Sequence, residues 1–135
     1  MTEILVLDAS AMVPVLVPGD SGQAIAQRIR GSAVHVPAHF DAEVLSALGT
    51  LHRAGHLDTD SVVRGLDALA QAPFTRHPLS GLLAAAWSRR GDTRLVDALY
   101  VALAVELAAP IIPLDRGLAA SAPRAERPGA EPPPG

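Results

Sequence analysis

With 135 residues the chain has room for one domain around one core, and an apolar fraction of 49% is enough to fill it. The absence of cysteine excludes disulfides and thiolate metal sites and suits a reducing cytosol, and the absence of lysine, all 11 basic residues being arginine, excludes chemistry that needs a side-chain amine. A formal charge of −3 argues against a protein that grips nucleic acid by bulk positive charge, although two bound divalent cations would add about +4 at one spot and invert the local sign.

Charge or proline interrupts every apolar stretch well before the roughly 20 residues of a membrane span, and no basic segment precedes an apolar one at the N-terminus. The expectation is a cytoplasmic chain without signal peptide or membrane contact. Residues 3–7 (EILVL) form a short continuous apolar run ending at Asp8, as a strand buried on both faces of a parallel sheet would. Ser10 offers a helix cap before the apolar segment 11–17, with Pro14 awkward unless it falls in the first turn. That helix is apolar nearly all round, so it is either buried within the monomer or forms part of a groove for a partner peptide.

After the turn cluster 18–22, residues 23–30 read as a second helix ending at Gly31, and 33–36 as a strand closed by Pro37. From 38 to 53 the apolar residues Phe40, Val44, Leu48 and Leu51 recur at helical spacing, with Gly55 as a stop. A further helix spans 58–71, capped by Thr59 or Asp60, and an edge strand is expected at 74–77 between two prolines. Residues 79–90 read as helix, and 93–109 as the most apolar helix of the chain, stopped by Pro110. Ile111, Ile112 and Leu114 make a last strand ending on Asp115, followed by a helical turn at 116–120. The tail from 121 to 135 holds five prolines and no apolar pattern, and is expected to be disordered. The order predicts one α/β domain over residues 1–120, helices flanking a short central parallel sheet.

Asp8 and Asp115 each follow a buried strand, so both carboxylates face the same crevice if the two strands are neighbours; singly, each fits a helix cap or turn residue as well. Asp97 is the only charged residue from 95 to 105, and an unpaired carboxylate buried on such a helix would cost several kcal/mol. Either Arg94 or Arg90 pairs with it, or a cation shared with other carboxylates does. Glu43 lies beside the core-facing stripe of its helix, where it is either a solvated surface residue or part of the same cluster. Carboxylates gathered this closely repel one another unless a cation is present, and hard ions such as Mg²⁺ and Mn²⁺ prefer such oxygens. Two ions some 4 Å apart can activate water and neutralise the leaving oxygen in a phosphoryl displacement.

The segments LVLDASAMV (5–13), AEVLSAL (42–48), DALYVALAVE (97–106) and PLDRGLA (113–119) resemble the four acidic motifs of PIN-domain ribonucleases, most closely the VapC-type toxins of bacterial toxin–antitoxin pairs. The resemblance spans about residues 3–120. It implies a PIN-like α/β/α sandwich, endonuclease activity on RNA with Mg²⁺ or Mn²⁺, a homodimer, and neutralisation by a cognate VapB-type antitoxin. It further implies Asp8, Asp97 and Asp115 as metal-coordinating aspartates, with Glu43 completing the catalytic quartet directly or through water. Ser10 would support Asp8 by hydrogen bonding or serve as a plain cap, and Asp92 would stand behind Asp97 or lie at the surface. The chain departs from the pattern at Pro113, where the family often has Thr or Ser, and in the lack of a last strand after residue 120.

Arg89, Arg90, Arg94 and Arg116 flank the acidic positions, either as solvated helix ends or as a rim that holds RNA phosphates. The histidine pairs 35/39 and 52/56 have the four-residue spacing of a zinc face, but Pro37 and Gly55 interrupt them, which favours surface or capping roles. Tyr100 and Trp87 read as core residues. A phosphate-receiver or haloacid-dehalogenase-like domain would also place Asp8 after the first strand, but each relies on a lysine that is absent here, and a dinucleotide fold needs glycines absent from 9–13. The remaining alternative is a catalytically inactive PIN-fold module that binds RNA or protein.

Overall fold

The structure, a computed structural model, describes residues 2–112. Pro113, Asp115, Arg116, the turn at 116–120 and the tail from 121 lie outside them, as does any strand after residue 120. The elements run β1 (Glu3–Leu7), α1 (Ala9–Leu16), α2 (Gln23–Arg30), β2 (Ser32–Pro37), α3 (Phe40–Arg53), α4 (Thr59–Gln71) and β3 (Thr75–His77). A single 3-10 turn (Leu79–Gly81), α5 (Leu83–Ser88), α6 (Leu95–Leu107) and β4 (Ile111–Ile112) complete the described chain.

The four strands form one sheet in the order β3-β2-β1-β4, every pair parallel. In β1, Leu5, Val6 and Leu7 are all fully buried although their side chains alternate between faces, so both faces of the sheet are covered there. Helices α1 to α4 pack against one another, while α6 lies on β1 and β2 with α5 beside it. None of the described helices is long and apolar enough to cross a membrane.

Local physics corrects several boundaries expected from the sequence. The cap of α1 is Asp8, whose carboxylate accepts from the Ser10 amide at 3.1 Å, so the helix begins before Ser10. Pro14 therefore falls in the second turn, and the short helix ends soon after at Val17. Val13, Val15, Leu16 and Val17 pack partly buried against the core, which places most of the apolar surface of α1 within the monomer. Gly22 follows because it must: a Cβ there would lie 2.4 Å from the Pro14 carbonyl oxygen. The helix expected over 79–90 is split into the 3-10 turn and α5, and α6 ends without glycine on Ala108, which takes the left-handed conformation at φ 51°.

Arg76 on β3 ties the sheet edge to two helices. Its guanidinium donates to both oxygens of Asp41 on α3, at 2.7 and 3.1 Å, and to the Leu69 and Ala72 carbonyls at the end of α4. This fork is planar and cannot be reproduced by an ammonium group. Arg76→Lys is therefore expected to cost about 1–2 kcal/mol of stability, seen as a lower urea midpoint at unchanged slope.

Candidate metal centre

The site is assembled at the carboxyl ends of the parallel strands. Residue Asp8 directly follows β1, and its amide continues the ladder by donating to the Ile112 carbonyl of β4 at 2.7 Å. Strands β1 and β4 are thus parallel neighbours, as the shared crevice requires. Asp115, three residues beyond Ile112 in sequence, lies outside the described residues.

Glu43 sits in the first turn of α3 and Asp97 in the first turn of α6, where the partial positive charge of a helix N-terminus favours a carboxylate. Asp8 is half-buried, and burial is the main cause that raises its pKa above the usual carboxylate value. Hydrogen bonds from the Ser10 hydroxyl and amide pull in the opposite direction, and the charges of Glu43 and Asp97 push it up again. Those couplings bring Asp8, Glu43 and Asp97 into one electrostatic neighbourhood. Ser10 donates both its amide and its hydroxyl to Asp8 Oδ2.

Asp97 is less enclosed than its apolar neighbours suggest, with 31% of its side chain exposed. The reason is its place at the start of the helix, where Leu95 and Val96 are themselves exposed. Its arginine partner is Arg94, Nε lying 3.7 Å from Oδ2, but Arg94 is 79% exposed, so the pair is screened and weak. Asp92 is exposed in the preceding turn. Arg90 stacks over the Trp87 ring at 4.7 Å and donates to the Trp87 carbonyl rather than reaching Asp97, and Arg89 is half-buried. Arg116 lies outside the described residues.

Two residues at the site were not singled out from the sequence. Tyr100, fully buried as expected of a core residue, donates its hydroxyl to Glu43 Oε1 at 2.6 Å. Burial foremost, and then the adjacent Glu43 carboxylate, push its pKa far above the ordinary phenol range, so the hydroxyl keeps its proton and is the donor. His39, expected at the surface or as a cap, occupies the N-cap position of α3 but does not cap it with its side chain. Instead Nε2 donates to the Val96 carbonyl at 3.1 Å and lies 3.3 Å from Glu43 Oε1, with the ring against Tyr100. Only a residue's position on α3 and α6 together could have revealed this, because His39 and Val96 are 57 apart in sequence. The other histidine pairings differ from a zinc face: His35 meets His77 across β2 and β3 at 2.8 Å, and His52 meets Thr59.

Trp87 is also corrected. It is 57% exposed and lines an open cleft of about 250 Å³ with Leu83, Ala86, Leu95, Val96 and Leu99.

Among the described residues no three His, Asp or Glu side chains stand close enough to hold an ion as they are. The donor chemistry nevertheless fits a hard divalent cation: oxygen ligands only, one of them half-buried and burdened by two neighbouring negative charges. The raised pKa of Asp8 has a thermodynamic signature. Because the folded state raises the Asp8 pKa above its value of 3.8, it binds that proton more tightly than the unfolded chain does. The stability from this group is present at acid pH and is lost as pH rises from about 3.8 through the folded pKa. In chelator at neutral pH, Asp8→Asn is expected to unfold at a higher temperature than wild type, and Mn²⁺ is expected to raise the midpoint of wild type only. An Asp8→Asn protein that is less stable in chelator would contradict this account.

The model of the PIN domain matches residues 5–122. Ribonuclease VapC3 of Mycobacterium tuberculosis is 51% identical over 124 residues, covering 91% of this chain and 90% of that protein. Ribonuclease VapC12 of the same organism is 39% identical and covers 87% of this chain and 92% of its own length. Among solved structures, PAE2754 from Pyrobaculum aerophilum superposes with a TM-score of 0.69 at 21% identity, covering 93% of this chain and 89% of that one. VapBC2 from Rickettsia felis, bound to a DNA fragment from their promoter, matches with a TM-score of 0.58 at 12% identity, covering 92% of this chain and 96% of that one. The chain therefore has the PIN fold and belongs to the PIN-domain family, among the VapC ribonucleases.

Proposed function

We propose that this chain is a toxin that cleaves RNA by hydrolysis with Mg²⁺ or Mn²⁺, and that a cognate VapB-type antitoxin neutralises it. The observation that carries the proposal is the placement of Asp8 at the carboxyl end of β1 and of Glu43 and Asp97 in the first turns of α3 and α6, two helix starts bridged by Tyr100 and His39, in a chain half identical to a VapC ribonuclease. Asp8 and Asp97, with Asp115, would hold the ion. When bound, the ion would acidify a water and neutralise charge that develops on the scissile phosphate.

The remaining chemistry falls to the chain's own side chains. Ser10 holds Asp8 in one orientation through two hydrogen bonds to the same oxygen, which leaves Oδ1 for the ion. Tyr100 donates to Glu43 Oε1, with His39 Nε2 3.3 Å from the same oxygen, so Oε2 is the oxygen that can take a proton from the attacking water. Arg94, extended into solvent beside Asp97, has the reach to bind a phosphate of the RNA, and Arg89, Arg90 and Arg116 are proposed as the rest of that rim. Asp92 would act on Asp97 from behind.

Purified protein with Mn²⁺ is expected to cleave RNA, and Asp97→Asn to lower the rate by at least about 100-fold, the upper loss typical even of residues that only support a metal ligand. On expression, growth inhibition should disappear with the same substitution. Wild-type protein that cleaves no RNA, or Asp97→Asn that still inhibits growth, would sink the nuclease proposal.

We further infer a homodimer through the face of α5 and α6. Leu83, Trp87, Leu95 and Val96 are large apolar side chains, 42–57% exposed, gathered in one cleft, beyond the scattered exposure of a monomer surface. Light scattering is expected to give a dimer mass for wild type and a monomer mass for Trp87→Glu. A wild-type monomer, or a Trp87→Glu dimer, would refute this face.

A further inference from the structure

We propose that Tyr100 is the positioning residue of the acidic site, its buried hydroxyl joining α6, which carries Asp97, to Glu43 on α3, with His39 as a second bridge between the same two helices. This deepens the metal-dependent nuclease proposal and rests on it.

Tyr100 belongs to α6, one turn after Asp97, so its backbone moves with that aspartate. Its hydroxyl hydrogen goes to Glu43 Oε1 of α3 at 2.6 Å. The same hydroxyl lies in the field of Asp8 as well as of Glu43, and both charges act on it. His39 adds a second bridge between α3 and α6, from Nε2 to the Val96 carbonyl immediately before Asp97, with Glu43 Oε1 within 3.3 Å. Its Nδ1 is buried without a partner among the described residues, an uncompensated cost that a residue placed only for packing would not carry.

The chemistry of these donors matters as much as their place. A hydroxyl fixes a carboxylate without cancelling its charge, so Glu43 is oriented and still negative when a cation arrives. A purely structural tyrosine would instead be read as ring volume filling the space between sheet and helices, and Phe would serve equally well.

The test compares wild type, Tyr100→Phe and His39→Gln, with Glu43→Gln as background. Phe keeps the ring, and Gln keeps an N–H near the Nε2 position. Mn²⁺ affinity is measured by calorimetry without RNA, and kcat and KM are measured on a cleavable RNA. Tyr100→Phe is expected to lose about 10–100-fold in Mn²⁺ affinity or in kcat, with KM for RNA unchanged. In the Glu43→Gln background the same substitution should have a much smaller effect, because the residue through which it acts is already altered. His39→Gln should retain most activity, whereas His39→Leu should resemble Tyr100→Phe; this pair also decides the matter if Tyr100→Phe fails to fold. Wild-type Mn²⁺ affinity and kcat in Tyr100→Phe, or equal losses with and without Glu43, would overturn the proposal. Absence of cleavage by wild type would overturn the nuclease reading, while the calorimetric comparison would still judge the positioning role.

Discussion

The charges of Glu43 and Asp97 both act on the half-buried carboxylate of Asp8, and hydroxyl groups orient Asp8 and Glu43 without cancelling their charge. Burial and the two neighbouring charges raise the Asp8 pKa, so the cost of the arrangement is visible at that residue. Hydroxyl groups bond two of the carboxylates: Ser10 for Asp8, and Tyr100 for Glu43, beside which His39 also stands. Among the described residues, the arginine paired with Asp97 is largely in solvent and 3.7 Å away. Short arginine–carboxylate pairs do occur in this protein, Arg28 with Glu3 and Arg76 with Asp41, both at 2.7 Å, but they lie on carboxylates outside the site. An arginine clamped on Asp8 or Asp97 would have to be displaced before a cation could bind. Hydroxyl donors leave the negative field available.

The parallel sheet makes this gathering possible. Because β1 and β4 run side by side in the same direction, the residues that follow them emerge at one edge. Helices α3 and α6 both start at that edge, so Glu43 and Asp97 arrive in first turns, where the helix dipole partly offsets their charge. Arg76 anchors the beginning of α3 through Asp41, two residues before Glu43, and so links the stability of the β3 edge to the placement of a site residue. Packing, capping and electrostatics thus act on the same few residues.

Much of this was legible in the chain itself. The apolar runs of β1 and α6 are strong signals because burial on both faces demands them, and Asp8 stands out as the first charge after such a run. The isolation of Asp97 was informative for a partly different reason than expected: its helix is apolar all round in the middle, but the first turn opens to solvent. Less legible were the features that depend on distant pairs. Nothing near His39 in sequence indicates that it will meet Val96, and a tyrosine in an apolar helix reads as core whether or not its hydroxyl has a task. Trp87 misled because a large aromatic on a short helix suggests burial, whereas the face it occupies has no cover among the described residues. The break between the 3-10 turn and α5 escaped although Gly81 stands at it, because the apolar residues continue beyond, and the left-handed Ala108 escaped because no glycine marks it.

Anomalous diffraction from crystals soaked in Mn²⁺ is the most direct measurement of the central claim, that these carboxylates are held together for a hard cation. The account predicts a manganese peak within ligating distance of Asp8 and Asp97, bounded by Asp115, with Glu43 still bonded to Tyr100. A fully occupied peak elsewhere, at the His35–His77 pair for example, with none between Asp8 and Asp97, would contradict it.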